Sequence, residues 1–144
     1  MKYLLDTCVI SELVAKKPNQ KVLNWIDSID PDSAYLSVIT IGEIKKGIEK
    51  LPDSQRRTTL HAWLTEDLLA RFSGRILLID TGVVLVWGQL AGSLESEGKK
   101  MGAIDSLIAA SARYNHCSLV TRNEIDFVHT GIAIINPWMN LNKA

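Results

Sequence analysis

The sequence predicts an α/β fold: a short parallel sheet with helices packed on both faces. Brief apolar runs ("KYLL", "AYLS", "RILL", "CSLV", "GIAII") recur along the chain. Segments with apolar side chains at helical spacing separate them, and strand–helix–strand alternation brings parallel strands together. Of the 144 residues 47% are hydrophobic, enough for a core without a disulfide framework or structural metal.

Residues 2–5 read as a buried strand ending at Asp6. Residues 7–16 carry Val9, Ile10, Leu13 and Val14 at helical spacing. Pro18 closes that helix or opens the next, in which Val22, Leu23, Trp25, Ile26 and Ile29 repeat the pattern. "DPDS" is turn chemistry, and the strand "AYLS" follows it. Ser37 is placed to cap a helix over 38–50 with an apolar stripe of Ile41, Ile44, Ile48 and Leu51. Asp53 or Ser54 caps a long helix reaching about Phe72. A strand is expected within 74–80, a helix from Gly82 to about Glu97, and a further helix over 103–115. A strand over 117–121, a loop with a short turn, and a last strand over 131–135 complete the pattern, with Pro137 as its end. One domain over 1–144 suits a length within the common range of about 100–150 residues.

Sixteen basic residues face sixteen acidic ones, and neither half of the chain carries an excess. That excludes holding nucleic acid mainly by bulk charge, though not touching a few phosphates beside an active site. Cys8 and Cys117 form no ligand pattern and read as small hydrophobes. No apolar run approaches the roughly 18–20 residues of a membrane span, and the N-terminus lacks a signal-peptide cleavage pattern; the cytoplasm is expected.

The informative residues are acidic. Ligands of open parallel sheets gather beyond the carboxyl ends of strands, and Asp6 lies at such an end. It can equally cap the following helix. Asp105 falls in the first turn of helix 103–115, where acids favour the helix dipole, but its apolar neighbours Ile104 and Leu107 set it against packed surface. Glu43 starts one turn into a helix at the same edge; a Thr40-x-x-Glu43 capping box or a pair with Lys46 are its bland readings. Asn123 and Asp126 follow "CSLV" at that edge too, Asn123 reading otherwise as a cap for the short turn. Three or four carboxylates without histidine or cysteine describe a hard-cation site for Mg²⁺ or Mn²⁺, whose natural chemistry is phosphodiester hydrolysis. No phosphate-binding glycine loop and no G-x-S-x-G elbow occur, and the three histidines fall in separate segments. Asp80 at a strand end suggests a phospho-acceptor, but a receiver domain needs a lysine after the last strand, where Asn136 and Pro137 stand.

"LLDTCVISEL", "YLSVITIGEIKKGIEKLP", "GRILLID", "AIDSLIAASARYNHCSLVTRNEIDF" and "INPW" resemble, in order and spacing, the PIN-domain ribonuclease toxins of the VapC and FitB-like family, from residue 3 to Trp138. The resemblance implies a three-layer α/β/α PIN-like domain with a short parallel sheet, and the toxin half of a type II toxin–antitoxin system. It implies a Mg²⁺-dependent endoribonuclease, with Mn²⁺ able to substitute, that cleaves RNA such as tRNA or rRNA to 5′-phosphate and 3′-hydroxyl ends and halts translation. It puts the family's metal-binding acids on Asp6, Glu43 and Asp105, the fourth role on Asp126, and a supporting role on Asn123, with Thr121 orienting a water or phosphate. A homodimer is implied, silenced by a VapB-like antitoxin whose own domain takes the hetero-oligomer to operator DNA. Lys46 and Arg122 are the best placed bases for RNA phosphate. Two departures stand out: Cys8 where the family usually has asparagine, expected to pack into the first helix, and Gly102 where a proline often precedes Asp105, expected to loosen that helix start.

Overall fold

A computed structural model describes residues 1–139; the last residues of the domain expected over 1–144 lie outside the described residues. Five parallel strands stand in the order β3-β2-β1-β4-β5. β1 (Lys2–Leu5) is central, paired with β2 (Ala34–Ser37) on one side and β4 (Cys117–Val120) on the other. The short β3 (Ile76–Leu77) and β5 (Ile134–Ile135) form the edges. Strand order therefore runs outward in both directions from β1, which places the topological switch at the carboxyl ends of β1 and β4.

Successive side chains of β1 point to opposite faces, and this divides the core. Leu5 packs with Val9, Ile10, Val22, Ile44, Ile48, Leu64 and Phe72. These come from α1 (Thr7–Glu12), α2 (Gln20–Ser28), α3 (Val38–Glu49) and the helical stretch that ends with α5 (Leu69–Arg71), preceded by α4 (Gln55–Ala62). Leu4 packs on the other face with Leu90, Leu94, Ile108, Ala109 and Ala112 of α6 (Thr81–Ser96) and α7 (Ala103–Tyr114). The result is the three-layer α/β/α arrangement that the alternation of elements predicts. Among the described residues no helix is long and apolar enough to cross a membrane.

The differences from the sequence-based expectation have physical causes. The first helix stops at Glu12 rather than reaching residue 16, because the chain must turn before Pro18. Glu12 accepts the Asn19 backbone N–H through Oε1 at 3.3 Å, and Asn19 in turn caps α2. The long helix expected up to Phe72 starts as foreseen, with Ser54 capping the Arg57 N–H, but widens into a π-helical stretch over Trp63–Leu68. Leu64 and Leu68 within this stretch, and Phe72 beyond it, are all buried. Both edge strands are two residues long, shorter than their apolar runs, and Leu78 just beyond β3 is largely exposed. Short edges offer little unpaired backbone for unwanted strand addition.

Candidate active site

The carboxyl edge collects the polar residues that the sheet interior cannot hold. Asp6 ends β1 and is 7% exposed. One oxygen, Oδ1, accepts the Thr7 N–H at 2.8 Å, so Asp6 does cap α1. The other, Oδ2, accepts the Thr121 hydroxyl at 2.8 Å, across the β1–β4 pair. The cap reading and the site reading are both satisfied by one side chain. Burial pushes the Asp6 carboxyl above the usual carboxylate range; the hydrogen bonds from Thr121 and Thr7 draw it back, and Glu43 pushes it up.

Glu43 is carried by the second turn of α3. That helix is capped by Ser37, which accepts the Ile39 N–H at 3.0 Å, while Thr40 is fully buried. The capping-box reading of Thr40 and Glu43 therefore falls. Glu43 is instead met by Thr7, whose Oγ1 donates to Oε1 at 2.6 Å. No ion pair with Lys46 forms among the described residues.

Asp105 sits in the first turn of α7, which has no side-chain cap at Gly102. The expected looseness is countered by Trp87 of α6, whose indole N–H donates to Ser106 Oγ at 2.9 Å while Ser106 donates to the Ala103 carbonyl. Burial raises the Asp105 carboxyl, and then Asp6, Asp126 and Glu43 raise it further. All four acids thus share one electrostatic environment. Asp126 is exposed on the 3-10 turn Glu124–Phe127. Asn123 precedes that turn without a side-chain capping bond; it is exposed, and its backbone N–H donates to Thr121 Oγ1 at 3.1 Å.

Among the described residues no three Asp, Glu, His or Cys side chains close around a single point tightly enough to hold a metal ion. The donor chemistry nonetheless fits a hard divalent cation: oxygen ligands only, negative charge in excess, and a partly desolvated edge where a cation would relieve the repulsion.

Cys8 packs against the core as expected, and its thiol makes polar contacts as well. Its Sγ lies 3.9 Å from Asp6 Oδ2 and 3.7 Å from Thr121 Oγ1, and it accepts the Arg122 N–H at 3.5 Å. It therefore belongs to the network that holds the edge together, and burial pushes its thiol up. Thr7 was not singled out by sequence reasoning; its place directly after Asp6 was the available signal. Several other basic side chains are committed elsewhere. Lys45, Arg57 and His61 converge on Glu49, Lys99 pairs with Glu97, and Arg56 donates to the Val14 carbonyl. Asp80 caps α6 by accepting the Val83 N–H at 3.0 Å, which accounts for its place after β3.

Beside Glu43 a cavity of about 240 Å³ runs between α1, α3 and α4, lined by Thr7, Val14, Ile48, Leu51, Leu60 and Trp63 among others.

The family model for the PIN domain matches residues 3–132. The chain is 36% identical over 135 residues to the toxin FitB of Neisseria gonorrhoeae, covering 94% of this chain and 97% of that protein. It is 36% identical to a VapC ribonuclease of Sinorhizobium fredii, over 94% of this chain and 96% of the relative. Among solved structures, FitAcB from Neisseria gonorrhoeae superposes with a TM-score of 0.91 at 36% identity, covering 96% of this chain and 99% of that one. FitAB bound to a DNA fragment gives 0.93 at 34% identity, with 99% of each chain covered.

Proposed function

This chain belongs to the PIN-domain family, within its VapC/FitB-like toxins, and from that membership and its acidic edge we propose that it is a metal-dependent endoribonuclease neutralised by a cognate antitoxin. What supports the reading is the placement of Asp6, Glu43, Asp105 and Asp126 along one edge of the sheet, near enough that each of the other three acids raises Asp105.

Asp6, Glu43 and Asp105 would hold a Mg²⁺ or Mn²⁺ ion, with Asp126 serving directly or through water and Asn123 as a polar support. A bound ion would supply an activated water and offset the negative charge that develops on the phosphoryl and leaving oxygens. The chain's own residues do the positioning. Thr121 and the Thr7 N–H fix both oxygens of Asp6, the Thr7 hydroxyl fixes Glu43, and the Trp87–Ser106 bond fixes the turn that carries Asp105. Hydrolysis of an RNA phosphodiester at this edge leaves a 5′-phosphate and a 3′-hydroxyl.

The antitoxin assignment is supported by the FitAB and FitAcB relatives, and by VapBC of Salmonella typhimurium, whose solved structure is DNA-bound. The apolar cavity beside Glu43 suits an antitoxin segment whose basic residue reaches the acids. A homodimer, assembled with antitoxin into a DNA-binding hetero-oligomer, completes the reading, together with a cytoplasmic place of action.

The test is cleavage of total small RNA by the chain freed of antitoxin, with Mg²⁺ or Mn²⁺, beside Asp6→Asn and chelator controls. Discrete products with 5′-phosphate ends, lost in both controls, are expected. No cleavage of transfer, ribosomal or messenger RNA by folded, metal-supplied protein would overturn the ribonuclease assignment.

A further inference from the structure

The loop after β4 presents one arginine in an unusual way. The Arg122 backbone is held on both sides: its N–H donates to Cys8 Sγ at 3.5 Å, and its carbonyl accepts from Asn136 Nδ2 at 3.5 Å. Asn136, almost fully buried, also donates to Glu124 Oε2 and accepts the Trp138 N–H, which ties the turn bearing Trp138 to the same loop. The Arg122 guanidinium lies over the Trp138 ring, 5.5 Å from its centroid, and Trp138 is itself packed against the core. Side-chain hydrogen bonds and ion pairs to that guanidinium are absent among the described residues, and Arg122 has no part in moving the Asp6 or Asp105 carboxyls. A cation one residue from Thr121, which bonds Asp6, would be drawn into the acids if free to swing. The indole face holds it outside them instead, with its N–H donors unspent.

We propose that Arg122, stacked on Trp138, is the substrate-positioning residue that binds a backbone phosphate of single-stranded RNA flanking the bond cleaved at the acidic edge. This rests on the ribonuclease reading above. A planar fork of donors is suited to phosphate, and a stacked guanidinium loses little freedom on binding. The exposed Arg122 beside the partly exposed Trp138 ring also offers an unpaired base an aromatic side chain to lie against, a mode that favours single strands. Lys46, exposed on α3 beyond Glu43, offers charge without such a mount.

The experiment compares the parent with Arg122→Ala and Arg122→Lys. KM and kcat are measured on small RNA, and oligouridine binding is followed across salt in the cleavage-dead Asp6→Asn background with Mg²⁺ present. Arg122→Ala is expected to raise KM about tenfold with kcat within a few-fold, and to lower the salt slope of binding by about 0.7, the amount for one phosphate on a single strand. Arg122→Lys keeps the slope and recovers only part of KM. Arg122 is exposed, so thermal midpoints should match the parent. If the parent cleaves RNA and Arg122→Ala equals it in KM and slope, the Arg122 assignment is wrong while the ribonuclease reading stands. If Arg122→Ala instead weakens only the antitoxin complex, the patch serves the protein partner and the proposal is wrong. If the parent neither binds nor cleaves RNA, both fall together.

Discussion

Thr7 Oγ1 lies 2.6 Å from Glu43 Oε1, and this single contact joins the end of the central strand to a helix 36 residues further along the chain. Thr7 also gives its backbone N–H to Asp6. One residue thus sets the orientation of two of the acids. The hydroxyl has no other donor role, since a second approach, to Thr40 Oγ1 at 3.4 Å, is longer and competes for the same hydrogen.

Thr7→Val keeps the shape and the backbone bond but removes the hydroxyl. A hydrogen bond to a charged group contributes about 1.5–3 kcal/mol. Cleavage should therefore fall by about tenfold or more, chiefly in kcat, and the thermal midpoint should drop by several degrees. Thr7→Ser restores the donor and should restore rate. Equal rates in Thr7→Val and the parent would show that Glu43 needs no such hold.

Asp6 was legible as an acid at the carboxyl end of a buried strand, with a helix cap as its equal alternative, and its side chain does cap α1. Glu43 was ambiguous, because its pattern fits a capping box equally well, and only the Ser37 cap and the Thr7 contact decide against that. The Thr7 contact was hidden because it depends on α1 and α3 meeting, which follows from strand order rather than from any local spacing. Cys8 was read as a packing residue since a lone thiol carries no motif; its neighbours Thr121 and Arg122 arrive from the far side of the β1–β4 pair. The π-helical stretch left no local mark, since the four-residue steps of Leu64, Leu68 and Phe72 fit an ordinary α-helix equally well.

The raised Asp6 carboxyl gives the metal-free chain a pH dependence of known sign. An ordinary unfolded aspartate ionises near about 3.9, before the folded one. Between the two values the unfolded state holds fewer protons, so stability falls as pH rises through that window and stays lower above it. Asp6→Asn removes this loss. Its amide oxygen can still accept the Thr7 N–H, and the Thr121 hydroxyl can turn to accept from the amide. In chelator, Asp6→Asn should melt higher than the parent at neutral pH, with the gap closing toward pH values below the window. A lower melting point at neutral pH would mean that the charged carboxylate is favoured by the fold.

Cys8 accepts the Arg122 N–H and sits against Asp6 and Thr121. Cys8→Ala leaves that N–H without its acceptor, so a loss of about 1 kcal/mol in stability and a few-fold fall in cleavage are expected. Cys8→Asn supplies an amide N–H for Asp6 and a carbonyl for Arg122, and should cleave at least as fast as the parent. Chemical denaturation and initial rates on the same preparations check both. Full activity in Cys8→Ala would leave Cys8 with its packing role alone.

The proposed metal role of the acids has a readout independent of cleavage. A ligand that binds only the folded state at a hundred times its dissociation constant stabilises by about 2.7 kcal/mol. Mn²⁺ or Mg²⁺ should therefore raise the thermal midpoint of the parent by several degrees. Glu43→Gln and Asp105→Asn should lose most of that rise, because each removes a ligand charge, although relief of repulsion raises their metal-free midpoints. Asp126 is exposed and influences Asp105 from the 3-10 turn, so Asp126→Asn should weaken the metal response without abolishing it. Asn123→Ala should leave the response intact and slow cleavage only a few-fold. The reverse pattern, with Asn123→Ala abolishing the shift and Asp126→Asn leaving it whole, would exchange their roles. A parent whose midpoint ignores both ions would remove the acids from metal binding altogether.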